Sequence, residues 1–266
     1  MVRAQGISLL FEPNDVEPEL DIIFIHGFTG HPRLTWTIDQ KKAERRRKAN
    51  SDAPSHNVHK SAQTADVYWP KDLVPVTLPS ARVMTFGYDS KIRHFSQGQI
   101  SKNTVQDHAR ELLEQLRDKR SPDAKGSRPL AFIAHSLGGL VVREALTLAS
   151  QHQDDQISTS RYKEIFRSTI AIMFFGTPHR GADPRSSFHR FFSAFAMRLG
   201  IDVNPFILDA LIPNVNNIQK QLNLDGFKSL AAERGWIVYT FQEEYGVLGF
   251  FSKKVSNSAL FRLFRS

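Results

Sequence analysis

The sequence contains no cysteine, which excludes a disulfide framework and any metal site built on thiolates. No apolar run approaches the ~20 residues needed to span a bilayer, and the first residues lack the basic-then-apolar pattern of a secretory signal. We therefore expect an intracellular, soluble, cytoplasmic protein. A glycine-rich phosphate loop and a cluster of metal ligands are also absent from the sequence, so we expect neither a cofactor nor a metal.

Acidic residues are fewer than basic ones, 27 against 35, and the formal net charge is +8. The strongest basic cluster, residues 41–48, lies within a polar stretch (37–65) that has almost no large apolar side chain. Such a composition is typical of a flexible, solvated insertion. We expect no nucleic-acid partner, and peripheral contact with an anionic membrane is the secondary interpretation of the charge.

Apolar runs of strand length are present, and they alternate with helical patterns, which predicts one α/β domain over residues 1–266. Because the strands are nearly continuously apolar, we expect a mostly parallel sheet with helices on both faces and a ligand site at the carboxyl ends of its strands. The predicted strands are 7–11, 21–26, 82–88, 129–135, 169–176 and 236–242, and the clearest predicted helices are 104–117 and 139–150.

The most informative motif is the run from Pro129 to Val142, in which a buried strand turns at Ser136 into a helix that begins with two glycines. The small residues Ala134 and Gly138 stand two positions before and after the serine, as a strained strand-to-helix turn requires. This pattern is typical of the nucleophile elbow of α/β-hydrolases, here as Ala-x-Ser-x-Gly. A tight connection without catalysis is the weaker interpretation, and we predict that Ser136 is a nucleophile.

A second motif, Asp21 to Gly30, ends a strand with His-Gly and a loop of small residues. In an α/β-hydrolase this loop supplies one backbone donor to the oxyanion, and the residue after the nucleophile supplies the other. We therefore predict an oxyanion hole made by the N–H groups of Phe28 and Leu137. His26 is predicted to hold the loop rather than to face Ser136.

The acid and the base are harder to assign. Strand 236–242 runs directly into Glu243, the predicted acid, with Asp183 as the alternative. The base should come last in the chain, but the ten histidines stop at His189. His135 should point away from Ser136, and His179 is close enough in the predicted sheet but occupies the wrong place in the topology. The sequence therefore predicts that the triad histidine is missing from this chain.

Residues 184–235 form a helical pattern with phenylalanines at 188, 191, 192 and 195, a spacing that places them on one face. Many hydrolases of this fold carry a cap at this position, and we predict a helical cap here. Core packing explains an aromatic stripe more often than an acyl-chain pocket does, and both interpretations stay open.

Several motifs together resemble one branch of the α/β-hydrolases, the lipase-like serine esterases related to the serine-active-site-containing protein and abundant in filamentous fungi. The strongest are the elbow from Phe132 to Val142, the run from Phe174 to Gly181, and the segment from Trp236 to Gly246. The resemblance implies cleavage of acyl esters or remodelling of lipids, and often a place as the N-terminal module of receptor-like proteins. It also implies association with mitochondria or the endoplasmic reticulum.

The chain departs from this branch after about Val255, where members continue into a strand, a histidine-bearing loop and a short helix. Residues 247–266 form instead a divergent basic and aromatic tail, which indicates a truncated or altered C-terminus. Two functions follow as hypotheses. The first is a serine ester hydrolase, and the alternative is a catalytically inactive hydrolase-like module for interaction or signalling.

Overall fold

A seven-stranded sheet organises the chain in a computed structural model that describes residues 1–27, 30–39, 66–89, 102–120, 128–151, 157–177, 224–241 and 261–262. Its strands are β1 (Gly6–Phe11), β2 (Leu20–Ile25), β5 (Ala81–Gly87), β6 (Leu130–His135), β7 (Thr169–Phe175), β8 (Ile237–Phe241) and β9 (Phe261–Arg262). The strands β3 (Thr37–Ile38) and β4 (Val67–Tyr68) form a separate two-stranded ribbon.

The strand order in the sheet is β1-β5-β2-β6-β7-β8-β9. The five central strands are parallel to one another, whereas β1 and β9 are antiparallel edge strands. Since parallel strands end at the same edge, the residues that follow β2, β6, β7 and β8 emerge side by side. The prediction of a mostly parallel α/β sheet is thus confirmed.

The longer helices are α3 (Lys102–Lys119), α4 (Gly138–Gln151), α5 (Ile157–Ser168) and α6 (Leu224–Arg234). They bury their apolar stripes against one face of the sheet, where Leu112, Val142 and Phe174 belong to a single core. Helix α3 shows why one side of each helix is buried. Its apolar residues recur at helical spacing and therefore lie on one face, and all of them are buried: Val105, Ala109, Leu112 and Leu116.

The opposite face of the sheet is covered by shorter elements. These are a 3₁₀ turn (Leu34–Trp36), helix α1 (Trp69–Asp72) and helix α2 (Val74–Thr77). Phe24 packs edge-on against Trp36 and Trp69, with ring centroids 5.2 and 4.8 Å apart. Because β2 is buried on both faces, its sequence is an almost unbroken apolar run.

All six predicted strands and both predicted helices are present, with ends that differ by one or two residues. Sequence analysis did not identify the β3–β4 ribbon, α1, α2, α5 or β9. Helices α1 and α2 each carry a proline in the first turn, a position that tolerates proline. Each helix has only four residues, which is too short for a periodic pattern of apolar residues to be recognised.

The structure describes only part of the predicted insertion, the predicted cap and the C-terminal tail. Of the predicted insertion, 37–38 form β3, while 40–65 lie outside the described residues. Of the predicted cap, the part before 224 also lies outside them, and α6 is a helix packed on the core. In the tail, β9 pairs with β8 in the antiparallel direction.

Candidate active site

Ser136 lies at the turn between β6 and α4, and its backbone is strained. Its φ angle is +53°, and among the described residues no other non-glycine residue has a positive φ. Such a conformation costs about 1–3 kcal/mol and persists only where the surroundings impose it. The Ser136 N–H donates to the Phe175 carbonyl at 2.8 Å, and the Ser136 carbonyl accepts from the Gly139 N–H at 3.1 Å. These two bonds hold the turn between β7 and the first turn of α4.

Three glycines let the backbone pack tightly around this turn. A Cβ built on Gly27 would lie 2.6 Å from Ser136 Cβ, and one on Gly138 would lie 2.3 Å from the His26 carbonyl oxygen. A Cβ on Gly139 would lie 2.2 Å from Thr177 Oγ1. Since real Cβ atoms do not approach other atoms so closely, any larger residue would push the ends of β2, β6 and β7 apart.

The Ser136 hydroxyl is buried, with 2% of the residue exposed, and Oγ has no hydrogen-bond partner among the described residues. It lies at the N-terminus of the 14-residue helix α4, where the helix dipole favours negative charge. The Leu137 N–H makes no backbone hydrogen bond within the described part of the chain, while the Leu137 carbonyl accepts from Leu140 and Val141. A free N–H beside a serine hydroxyl is the arrangement that stabilises an oxyanion.

Strand β6, which leads to Ser136, lies between β7 on one side and β2 on the other, and the residues that follow β2 contact the elbow from the β2 side. Phe28, the second predicted oxyanion donor, lies outside the described residues. On either side of it, the Gly30 N–H donates to the Gly27 carbonyl at 3.0 Å, and the His31 N–H donates to Thr35 Oγ1 at 3.1 Å. Gly27 and Gly30 are therefore held together, and Gly27 lies against the elbow.

His26 holds this loop, as its place in the motif predicts. Its ring stacks on Tyr88 with centroids 4.4 Å apart, Nδ1 lies 2.8 Å from the Gly27 carbonyl oxygen, and Nε2 accepts from the Tyr88 N–H at 3.2 Å. The Tyr88 hydroxyl donates to the His26 carbonyl at 2.9 Å. Burial lowers the pKa of His26 to about 4, so the imidazole is neutral near pH 7 and its tautomer is set by these bonds.

None of the described histidines hydrogen-bonds to Ser136 Oγ. His135 packs edge-on against Trp36, with centroids 6.2 Å apart, on the face of the sheet away from α4. His108 lies beside Tyr88 and Glu111, and His31 Nδ1 accepts from the Arg33 N–H. The predicted acid Glu243, its alternative Asp183, and His179 all lie outside the described residues.

Thr177 lies beside the elbow helix, a position that sequence analysis did not predict. It is the second residue after β7, is 6% exposed, and has no hydrogen-bond partner for Oγ1 among the described residues. Thr177 belongs to the run from Phe174 to Gly181, one of the motifs that carry the resemblance. Its closeness to Gly139 depends on how β7 and α4 pack, which no local pattern reveals.

Within the described ranges, no group of three or more His, Asp or Glu side chains is arranged to hold a metal ion. Among the same residues, no helix has the length and apolar character needed to cross a membrane.

Comparison with known proteins finds partial matches to one family and to several of its relatives. The family described as "Putative serine esterase (DUF676)" matches residues 87–201, which include the elbow. Protein SERAC1 of Homo sapiens is 27% identical over 166 residues (61% of this chain), and its Danio rerio counterpart is 24% identical over 226 residues (84% of this chain). These alignments span only 22% and 30% of the relatives' own lengths.

Among solved structures, the Bacillus licheniformis lipase BlEst2 is similar over 88% of this chain and 70% of its own, with 16% identity and a TM-score of 0.37. We base the fold on the strand order and on the strained serine between β6 and α4. The chain has the α/β-hydrolase fold, and its central part is similar to the putative serine esterases.

Proposed function

We propose that the chain is a serine ester hydrolase that acts on acyl esters, with lipids as the substrate class. The observation that carries this proposal is the strained backbone of Ser136, whose φ is +53° at the turn from β6 into the N-terminus of α4. Such strain is costly, and in the α/β-hydrolase elbow it accompanies a serine that is presented at a helix N-terminus for attack.

In the proposed reaction, Ser136 Oγ attacks the acyl carbon while its proton passes to a base. The Leu137 and Phe28 N–H groups stabilise the negative charge that develops on the carbonyl oxygen. Loss of one such donor typically costs about 10²–10³ in rate. Glu243 orients the base, and the protonated base then gives its proton to the departing alcohol.

The base is the catalytic group to which this proposal assigns no residue. A serine hydroxyl is a weak nucleophile unless a base takes its proton. His179 follows β7, the strand next to the elbow strand, but its place in the chain order does not fit a triad histidine, so the proposal keeps the triad histidine as missing from this chain.

The proposal is tested with a fluorophosphonate probe, whose phosphorus bonds to an activated serine oxygen as fluoride leaves. We expect the purified chain to be labelled, and Ser136→Ala to lose labelling. Ser168→Ala is the matched control, because Ser168 is equally buried but donates to the Glu164 carbonyl. Labelling that survives in Ser136→Ala would overturn the proposal.

A second candidate is an inactive hydrolase-like module for interaction or signalling. The observation that favours it is the absence of histidine after residue 189, together with the lack of any described imidazole bonded to Ser136 Oγ. Absence of labelling in a chain that circular dichroism shows to be folded would favour this candidate over the hydrolase.

A further inference from the structure

The backbone that packs against the elbow on the β2 side lies just beyond the end of the strand ladder. Ile25 is the last residue of β2 that pairs with β5 and with β6. Beyond it, a Cβ built on Gly27 would lie 2.6 Å from Ser136 Cβ, and one built on Gly138 would lie 2.3 Å from the His26 carbonyl oxygen. The peptide unit between His26 and Gly27 is therefore the surface on which the elbow rests, although no ladder bond holds it.

Tyr88 bonds this peptide unit from the β5 side. It follows β5 directly, and its hydroxyl donates to the His26 carbonyl at 2.9 Å, while its N–H donates to His26 Nε2 at 3.2 Å. The two bonds continue the attachment of β2 to β5 past the last ladder pair, Ile25 with Phe86. The His26 carbonyl oxygen is thus bonded to Tyr88 and packed closely against Gly138.

The ring of Tyr88 is held in one place by its neighbours. Tyr88 is 6% exposed, and its ring lies 4.4 Å from that of His26, 4.6 Å from that of His108 on α3 and 5.8 Å from that of Phe86, measured between centroids. Burial raises the pKa of Tyr88, so the hydroxyl keeps its proton and remains a donor. The packing of β5 and α3 therefore fixes where this hydroxyl lies.

The strained backbone of Ser136 needs support from both neighbouring strands, because a positive φ persists only where the surroundings impose it. On the β7 side, the Ser136 N–H donates to the Phe175 carbonyl at 2.8 Å. On the β2 side, the serine packs against Gly27. We propose that Tyr88 is a positioning residue whose hydroxyl holds the His26–Gly27 peptide unit against the elbow and so sets the position of Ser136 Oγ. This inference rests on the proposed hydrolase function and adds a residue to it.

The experiment measures fluorophosphonate labelling at several probe concentrations, which separates the maximal labelling rate from the binding constant of the probe. Tyr88→Phe keeps the stacked ring and removes the hydroxyl. We expect its maximal rate to fall by about tenfold, because a small displacement of a reacting atom slows its reaction strongly, while the binding constant of the probe stays unchanged. Replacing Tyr88 by 4-aminophenylalanine keeps a donor on the same ring carbon and should restore most of the rate.

Tyr68→Phe is the matched control. Tyr68 is also buried, and its hydroxyl donates to the Pro32 carbonyl at 3.0 Å. This variant should lose a similar amount of thermal stability but keep the parental maximal rate. Equal slowing in both phenylalanine variants would overturn the inference, as would a parental rate in Tyr88→Phe. Should Tyr88→Phe not fold, the 4-aminophenylalanine protein takes its place, and slow labelling of that protein would overturn the inference.

Hydrogen exchange over residues 132–142, followed by mass spectrometry, tests the position of the elbow without relying on activity. We expect exchange there to rise by about tenfold in Tyr88→Phe, the effect of one lost hydrogen bond, and to stay parental in Tyr68→Phe. A folded parent chain that is not labelled would overturn the proposed function. Exchange that is unchanged in Tyr88→Phe would overturn the role of Tyr88, whether or not the parent is labelled.

Discussion

At the scale of single residues, His26 shows how a buried titratable group can serve the fold without serving catalysis. Its ring is fully buried, stacked on Tyr88, and bonded at both nitrogens to backbone groups of neighbouring segments. Protonation would place a charge in this environment and remove the acceptor for the Tyr88 N–H. Protonation of His26 would therefore weaken the contacts that hold the end of β2 to Tyr88.

We expect the protein to lose stability as the pH falls from about 6.5 to about 4. The pKa of His26 is lowered to about 4 in the folded state, so the unfolded chain binds the proton first and acid favours unfolding. The shift corresponds to about 3 kcal/mol of unfolding free energy over this range. Urea unfolding at several pH values measures it, and His26→Gln should flatten the dependence.

His31→Gln is the control for this measurement, because it changes a histidine of the same loop that is only partly buried. It should leave the pH dependence close to that of the parent. An acid-induced loss of stability that is as steep in His26→Gln as in the parent would contradict the assignment to His26.

At the scale of elements, a cluster of charges joins the amino ends of the central strands, far from Ser136. Asp21 on β2 is fully buried and accepts two hydrogen bonds from Arg82 of β5, at 2.8 and 2.9 Å. Arg120, at the end of α3, also donates to Asp21, and Arg128, before β6, does so at 3.3 Å. One carboxylate thus ties three strands and a helix together.

Asp21→Asn is expected to lower the unfolding free energy by about 3–5 kcal/mol, because it leaves three partly or fully buried guanidinium groups without their common partner. Chemical denaturation measures this loss. Asp107→Asn is the control, since its ion pair with Arg110 is exposed and should contribute little. Similar stabilities for the two variants would contradict the role of the cluster.

At the scale of the whole molecule, helix α6 belongs to the core even though it lies within the region predicted as a cap. Phe227 is 4% exposed, and its ring lies 6.2 Å from Phe174 of β7 and 5.9 Å from Trp236. The Arg143 guanidinium of α4 lies 5.5 Å from the same ring. Through these contacts α6 connects the elbow helix to the sheet.

Phe227→Ala is therefore expected to destabilise the whole domain, by about 3–5 kcal/mol, as large-to-small changes in a packed core do. The loss should appear as an earlier, single unfolding transition in thermal or urea melts. Glu233→Ala changes an exposed residue of the same helix and should have little effect. A parental melting temperature for Phe227→Ala would mean that α6 packs as a detachable element.

The direction of the last described strand shows why the acid and the base are the hardest part of the site to predict. Strand β9, the last part of the chain that the structure describes, pairs with β8 in the antiparallel direction, unlike the parallel central strands. A base delivered from the end of a parallel last strand, as the hydrolase pattern expects, has no counterpart in this pairing. No residue pattern in the tail predicted the direction of so short a strand.

Local residue patterns were enough to predict much of the fold and the position of the elbow serine. Continuous apolar runs identified β2, β6 and β7, because strands buried on both faces must be apolar throughout. The Ala-x-Ser-x-Gly spacing located the strained turn at Ser136, because only small neighbours allow it. Short elements such as α1 and α2 escaped, since four residues are too few for a periodic signal.

What the sequence determined by itself was therefore the fold class and the position of the elbow serine, both of which follow from spacing along the chain. The tertiary structure alone decided that Thr177 rests on Gly139, that three arginines share Asp21, and that α6 is buried against β7. The physical reason is that these features join residues distant in the chain. Their contacts depend on strand order and helix packing, and no local pattern of residue types specifies them.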